Sequence, residues 1–370
     1  RVLFRSVKGK VMDESRPLYD QEIHSIVLWM PNWIGDVVLT LPVLQSLRRA
    51  YPTARITAVV KSPSDELLLG HSAINTVLLL PSGSNSGFWT HIKFARSLKK
   101  YQFDVGIVFP NSFGSSFLLS LAGAKHRLGY NTDGRDIFLT HPIPTTDHLK
   151  KSQYRVEYFF KILSPLKMDV PDTVFSPVLK QEGDISTREA LLNMGLDEDE
   201  EFITLHPGTS KVERSWHAER FGILCQKIFK EDGEKIVLLG TQAEEKLLNR
   251  IKNYCPPDKV KIIPAVNLRV LAGVLKKSRM FIGNDSGMMH LAAMVGTPIV
   301  AIFGPGNFGT TGPYMAPENC EILTENYSCS PCRQRFFKEC KPSPHNKPYC
   351  LEDITVKNMY EAIRRILKRI

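Results

Sequence analysis

Short runs of apolar, β-rich residues alternate along the chain with stretches whose apolar positions recur at helical spacing. This alternation is the pattern of parallel α/β sheets. In the first half, the runs at 26–29, 56–60, 77–80 and 105–109 predict strands. Positions 36–50 predict a helix, with Val37, Leu41, Leu44 and Leu47 on one face. Pro42 lies inside it, so the helix is expected to kink there or to become regular only beyond it. The Ser/Gly/Asn run at 81–87 predicts a loop. A second series of strands is expected at 202–205, 235–239, 261–263, 280–283 and 298–303, with helices at 218–230, 270–277 and 287–295. The stretch 164–184 contains Pro165, Pro171 and Pro177 and has no clear period.

The expected organisation is therefore an N-terminal extension at 1–22, a Rossmann-like domain at 23–170 and a linker at 171–184. A second Rossmann-like domain with a Cys-rich tail follows at 185–353. A basic amphipathic helix at 354–370 has Thr355 as its N-cap. A length of 370 residues suits two such domains. No apolar run approaches the roughly 18 residues that span a bilayer. The first 22 residues mix both charges and lack the apolar core of a signal peptide. The expectation is a cytoplasmic protein, peripheral to the inner face of the inner membrane.

The net charge is +10 and is uneven. Residues 1–175 hold 21 basic and 14 acidic residues, a balance of +7, and the remainder holds 27 and 24, a balance of +3. A phosphorylated lipid, a membrane surface or another anionic partner would suit the first half; so would plain solubility. Basic patches interleaved with exposed aromatics, and the known nucleic-acid modules, are missing from the sequence, which argues against nucleic acid.

Candidate chemistry sits where predicted strands end, the edge at which parallel sheets bind ligands. Asp36, in Pro31-Asn32-Trp33-Ile34-Gly35-Asp36, follows the first strand. It could accept a proton from a substrate hydroxyl, or merely cap the helix. In the capping position the helix dipole would lower its pKa and weaken it as a base. After the first strand of the second domain comes His206-Pro207-Gly208-Thr209-Ser210-Lys211, then Arg214 and Trp216. Its hydroxyls, cations and backbone N–H groups suit a diphosphate; the alternative is a solvated polar loop. Gly283-Asn284-Asp285-Ser286-Gly287-Met288-Met289-His290 is again a strand-to-helix turn. Asp285 can accept from ribose or sugar hydroxyls, and His290 can reach a phosphate from the first turn of its helix. Gly304, Gly306 and Gly309 spell a literal G-x-G-x-x-G, which would favour an NAD-dependent oxidoreductase. The motif follows the last strand of a domain and not the first, so that reading is set aside. Asp197-Glu198-Asp199 precedes a strand and reads as a surface turn. Cys329, Cys332, Cys340 and Cys350 cluster at spacing C-x2-C-x7-C-x9-C. They are candidates for a structural zinc site or for four reduced thiols.

Taken together, these motifs resemble glycosyltransferase family 9, the ADP-heptose:lipopolysaccharide heptosyltransferases. The matching residues are Trp33-Ile34-Gly35-Asp36, His206-Pro207-Gly208 with Trp216, Asn284-Asp285-Ser286-Gly287 with Met289-His290-Leu291-Ala292, Gly304-Pro305 and Thr311-Gly312-Pro313. Pro31-Asn32-Trp33 and the Cys-rich tail with His345 are closer to heptosyltransferase II than to I. The resemblance covers about residues 23–360. It implies a GT-B fold, two Rossmann-like domains facing across a cleft, and inverting transfer of heptose from ADP-heptose to a heptosyl-Kdo-lipid A acceptor. It also implies an N-terminal domain that binds the anionic lipid-linked acceptor and a C-terminal domain that binds the ADP-sugar.

By the same resemblance Asp36 is the general base. Thr209, Ser210, Lys211, Arg214, Asp285, Ser286, Gly287 and His290 form the donor site. Arg214 stands in place of the family's lysine, and Gly306 stands where a threonine is common. The leaving diphosphate is expected to be stabilised by Lys211, Arg214, His290 and backbone N–H groups. No metal cofactor is required by that scheme. Arg127 and Arg135 are expected to face the acidic acceptor.

Overall fold

The computed structural model describes residues 17–83, 86–169, 182–197, 199–263, 266–325, 327–330, 332 and 334–370. The segment 1–16 and most of the expected linker lie outside the described residues.

Six strands build the first sheet: β1 (Ser25–Trp29), β2 (Arg55–Val60), β3 (Thr76–Leu79), β4 (Val105–Val108), β5 (His126–Tyr130) and β6 (His141–Ile143). Every pairing is parallel, in the order β3-β2-β1-β4-β5-β6. The second sheet repeats this plan with β7 (Phe202–His206), β8 (Lys235–Leu238), β9 (Val260–Ile262), β10 (Met280–Asn284), β11 (Ile299–Ile302) and β12 (Cys320–Leu323). Its order is β12-β11-β10-β7-β8-β9, again parallel throughout. In each sheet the chain winds outward from the first strand and then jumps back to that strand's other side. The switch points are therefore β1/β4 and β7/β10, where a doubly wound sheet opens a crevice beyond its carboxyl edge.

The central strands are buried on both faces: β1, β4, β7 and β10 have no exposed residue. That is why they read as continuous apolar runs. Strands β5, β6 and β12 escaped the pattern. His126-Arg127 and Pro142 break the apolar runs of β5 and β6, and the edge strand β12 is only half-buried. At an edge strand, an unpaired N–H is no loss, so Pro142 is tolerated.

The helices that matter for the site are α1 (Ile34–Ala50), α2 (Phe88–Ser97), α3 (Phe113–Leu121), α4 (Arg155–Lys161), α5 (Glu182–Asn193), α6 (Ala218–Asp232), α7 (Leu268–Lys277), α8 (Gly287–Val295) and α9 (Val356–Leu367). Helix α1 runs unbroken through Pro42, because positions 37–44 are all buried. That packing outweighs the ~3 kcal/mol an internal proline costs. Helix α5 starts at Glu182, so the last positions expected in the linker are already helical. Leu18, expected to lie outside the fold, is buried in the first core, and Gln21 meets the His126 ring at 3.0 Å. Helix α9 is capped by Thr355 as expected, with a reciprocal bond from Asn358. Its buried Met359, Ala362, Ile363 and Ile366 join Trp216, Phe221 and Leu224 in the second core. It is thus an integral part of the second unit.

The two units meet through α1 and α8. One continuous buried cluster contains Val37 and Leu41 of α1 together with Met289 and Leu291 of α8. Ile34 packs against Gly287, where an added Cβ would sit 3.3 Å from the Cβ of Ile34.

Candidate active site

The contact between α1 and α8 brings together the motifs expected at the two sheet edges. A Cβ at position 35 would lie 2.6 Å from Cδ2 of His290, so only glycine admits this approach. The neighbouring residue is Asp36.

Asp36 is not the helix cap. The N-cap is Trp33, which makes no side-chain capping bond, and Asp36 lies two residues inside the helix start. About a third of its side chain is exposed, and its Oδ1 is 3.8 Å from Nε of Arg155 at the start of α4. Burial raises the Asp36 carboxyl above its ordinary value, against the pull of Arg155. The net shift is therefore upward, the opposite of the lowering expected for a capping carboxylate. Arg155 had no signal in the sequence, because α4 is short and α4 meets α1 only in the fold. Its guanidinium lies 5.5 Å over the Tyr158 ring, and its buried Nε has no hydrogen-bond partner.

Across the contact, Asp285 follows β10 and is buried; its carboxylate takes the Arg214 guanidinium. Burial raises the Asp285 pKa, and Arg214 opposes the shift. This pair explains Gly306: a Cβ there would come within 2.4 Å of Asp285 Oδ2. Arg214 still has a free donor, since its Nε is buried without a partner. His290 is buried, with Nδ1 likewise unpartnered. Burial, reinforced by nearby Arg214, pushes its pKa down to about 4. An imidazole with so low a pKa is neutral at physiological pH and can offer a hydrogen bond but no positive charge.

The loop after β7 is held by residues that do not themselves face the crevice. Asn284 donates to Pro207 O at 2.7 Å and accepts from Trp216 N–H at 3.0 Å; the Trp216 indole donates to Ile354 O at 2.9 Å. The family-matching Asn and Trp thus tie this loop to β10 and to the tail. The Thr209 hydroxyl donates to Lys211 O at 2.5 Å, inside the loop, while Ser210 and Lys211 are exposed. His206 lies 3.4 Å from the Ser286 hydroxyl and 3.9 Å from Glu244. Burial works against the Glu244 charge, but His206 and the Thr241 backbone outweigh it and hold the carboxyl at about 2. Gly208 makes room for Glu244, which an added Cβ would strike.

The two arginines expected to face the acceptor do not. Arg135 is completely buried; it donates to Tyr130 O at 2.6 Å, to Asn111 at 3.2 Å and to Pro110 O. Arg127 donates from Nε to Phe138 O at 2.6 Å and from Nη1 to Ala124 O at 2.8 Å. Both pin the loops around β5 because buried carbonyls there need donors. The G-x-G-x-x-G stretch likewise opens no dinucleotide-binding helix. After Gly304 comes a single turn at Phe308–Thr311, and Gly304 itself makes space for Leu351. Asp197 and Asp199 are exposed, as a surface turn requires; Glu198 lies outside the described residues.

Cys329, Cys332, Cys340 and Cys350 are all reduced and line one cavity of about 640 Å³, with Phe336 and Pro305 in its wall. Burial pushes the Cys350 thiol up to about 12, with the neighbouring thiols adding to the shift. Among the described residues, no three His, Cys, Asp or Glu side chains are gathered as a metal site. His345 does not face the thiols' centre but pairs with Glu352 at 3.1 Å. Glu352 also binds His217 at 3.1 Å and Arg220 at 2.6 Å, and Lys347 donates to Val212 O at 2.9 Å. The tail thereby buttresses the loop that carries Arg214.

The profile described as Glycosyltransferase family 9 (heptosyltransferase) matches residues 91–341. The chain belongs to glycosyltransferase family 9. Lipooligosaccharide heptosyltransferase 2 of Campylobacter jejuni is 25% identical over 355 residues, covering 93% of this chain and 98% of the relative. The structure of E. coli ADP-heptose LPS heptosyltransferase II superposes with TM-score 0.76 at 19% identity, covering 93% and 99% of the two chains. An E. coli heptosyltransferase solved with ADP-2-deoxy-2-fluoro heptose gives TM-score 0.65 at 19% identity, covering 92% and 99%. The GT-B architecture follows, and the reading as an oxidoreductase falls. The family 9 profile covers the donor-side motifs and starts beyond Asp36, whose placement rests on the fold. No described helix of this glycosyltransferase is long and apolar enough to cross a membrane.

Proposed function

We propose that the protein transfers heptose from ADP-heptose to the inner core of lipopolysaccharide, with heptosyl-Kdo-lipid A as acceptor and inversion at the anomeric carbon. The observation that carries this reading is the convergence of Asp36 and Arg155 from one unit with Arg214, Asp285 and His290 from the other. Three buried nitrogens there, on Arg155, Arg214 and His290, have no hydrogen-bond partner among the described residues. Buried donors left unpaired in this way are what an anionic ligand would satisfy.

An acceptor hydroxyl attacks the anomeric carbon from the face opposite ADP. Its proton passes to the Asp36 carboxylate, whose raised pKa makes it the stronger base. The bond between the anomeric carbon and the diphosphate oxygen breaks, and its electron pair leaves with ADP. Arg214 and Lys211 carry the positive charge that meets this developing anion, and His290 adds a neutral hydrogen bond. Thr209, Ser210, Ser286 and Gly287 line the donor side; reaching it would require the Thr209 hydroxyl to leave its bond within the loop. The scheme uses no metal. We also propose that Cys329, Cys332, Cys340 and Cys350 take up a structural zinc ion, which would draw the four sulfurs in from the cavity wall and order the tail. We place this enzyme in the cytoplasm.

The test is Asp36→Asn assayed with ADP-heptose, against UDP- and GDP-sugars as controls. Transfer falls by roughly 100- to 10,000-fold, as for a lost general base. ADP affinity in calorimetry and the melting temperature hold, because Asp36 caps nothing. Turnover near that of the unaltered protein would sink the assignment.

A further inference from the structure

Thr311-Gly312-Pro313 matches the family pattern but takes no part in the transfer described above. Its backbone is committed to one shape. The Gly312 N–H closes the single turn by donating to Phe308 O at 2.8 Å, and a Cβ at 312 would lie 2.5 Å from that same oxygen. A side chain is therefore excluded. Proline at 313 confines the residue before it to extended backbone, and Gly312 has φ -64° and ψ 167°. Held this way, Gly312 cannot prolong the turn, and its carbonyl is left without a helical partner. That carbonyl accepts the Tyr154 hydroxyl at 3.0 Å, across 158 positions and from the other unit.

Tyr154 is the N-cap of α4 and makes no side-chain capping bond. Its carbonyl accepts the Tyr158 N–H at 2.9 Å, and its ring stacks on Tyr314 at 6.0 Å. Burial raises the Tyr154 pKa, and Tyr314, Cys320 and Glu157 around it act in the same direction, so the hydroxyl keeps its proton and stays a donor. Helix α4 has only seven residues, too few to hold a helix by its own bonds. Its placement comes from packing. The far end of its first turn is fixed within the first unit: Tyr158 accepts from Asn111 Nδ2 at 2.8 Å and stacks on Tyr130 at 4.1 Å. The near end is fixed by Tyr154 on the second unit. Between the two stands Arg155, with its guanidinium over the Tyr158 ring and its Nε 3.8 Å from Asp36. Arg155 is the charge that opposes burial at Asp36; His290, which meets the same turn of α1 from α8, is neutral near pH 7.

We infer that Tyr154 is a positioning residue: its hydroxyl, seated on the Gly312 carbonyl of the second unit, fixes the start of α4 and thereby sets Arg155 against Asp36. The docking of the two units is in this way transmitted to the carboxylate. Any effect on turnover rests on Asp36 as the general base proposed above; the placement of Arg155 does not. The test is Tyr154→Phe, which keeps the ring and its stacking on Tyr314 and deletes the donor. Carbon NMR of the full chain labelled at its aspartate carboxyls follows the titration of Asp36, whose signal is the one lost in Asp36→Asn. With Arg155 released, the Asp36 pKa is expected to rise by roughly half a unit, and by no more than the ~1 unit that Arg155 can supply. The acidic limb of kcat/KM moves with it. Tyr154→Phe placed in Arg155→Gln adds no further rise, since both act through the same charge. Glu66→Ala is the control. It removes the bond that Glu66 accepts from the Leu268 N–H at 2.6 Å, which also joins the two units but involves neither α4 nor the 308–314 segment. The Asp36 titration is expected to stay in place there. An unmoved Asp36 pKa in Tyr154→Phe would overturn the inference even if the melting temperature falls, because the bond would then be merely structural. An equal rise in Glu66→Ala would overturn it too, assigning the effect to a general loosening of the two units. If the pKa rises as expected while Asp36→Asn retains full activity, the catalytic reading fails and the placement of Arg155 by Tyr154 stands.

Discussion

Replacing Arg155 by Gln gives a direct test of how Asp36 is tuned. Asp36 is opposed only by burial and helped only by Arg155, whose Nε lies 3.8 Å from its carboxylate. Two unit charges at about 4 Å attract by ~1 kcal/mol in water and by ~4 kcal/mol at an effective dielectric of 20. About a third of each side chain is exposed, and solvent screening at this degree of exposure favours the lower part of that range, roughly 1–2 kcal/mol. That corresponds to about one pKa unit. The sign follows from the chemistry. Asp36 works as the carboxylate, so activity is lost as pH falls through its pKa. Removing Arg155 leaves burial unopposed and raises that pKa further, and the acidic limb of the kcat/KM profile moves to higher pH by about one unit. Gln keeps much of the packing over Tyr158 while deleting the charge, and Arg155→Lys should restore most of the original profile. The measurement is initial-rate transfer from ADP-heptose across the acidic range, with melting temperature recorded in parallel. An acidic limb that stays in place in Arg155→Gln, with the protein folded, would refute the reasoning.

Two further outcomes are expected. Arg214→Ala should weaken ADP binding in calorimetry by about 1.5–3 kcal/mol, the range for a charge-assisted contact, and should leave Asp285 buried without its partner; unchanged affinity would remove Arg214 from the diphosphate. Elemental analysis of protein purified without chelator should find close to one zinc per chain, lost in Cys332→Ser together with protease resistance of the tail. Zero metal, with all four thiols rapidly alkylated in the folded protein, would rule the site out.

The apolar runs of β1, β4, β7, β10 and β11 were legible because strands covered on both faces must be apolar at every position. So were the turns that end them, since Gly, Asp and Ser at a strand's carboxyl end are needed for close ligand approach. Thr355 was legible as a cap for the same local reason: its bonds reach only three residues along the chain. Strand β5 and the edge strands β6 and β12 were not legible, because their half-buried and exposed positions accept His, Arg, Pro and Glu and so carry no period.

The site itself divides in the same way. Asp36, Arg214, Asp285 and His290 stand out in their motifs, but their electrostatic states depend on neighbours distant in sequence. The His290 pKa is lowered by burial, to which the close approach of Gly35, 255 positions away, belongs, and by the nearby Arg214. Asp36 is raised by burial and restrained by Arg155, which no local pattern marks. Arg127 and Arg135 looked free because a sequence records charge and not the carbonyls that a loop buries beside it. Local chemistry and periodicity are written along the chain; desolvation and charge pairing arise only when separate segments are packed together, and here the tertiary structure alone decided them.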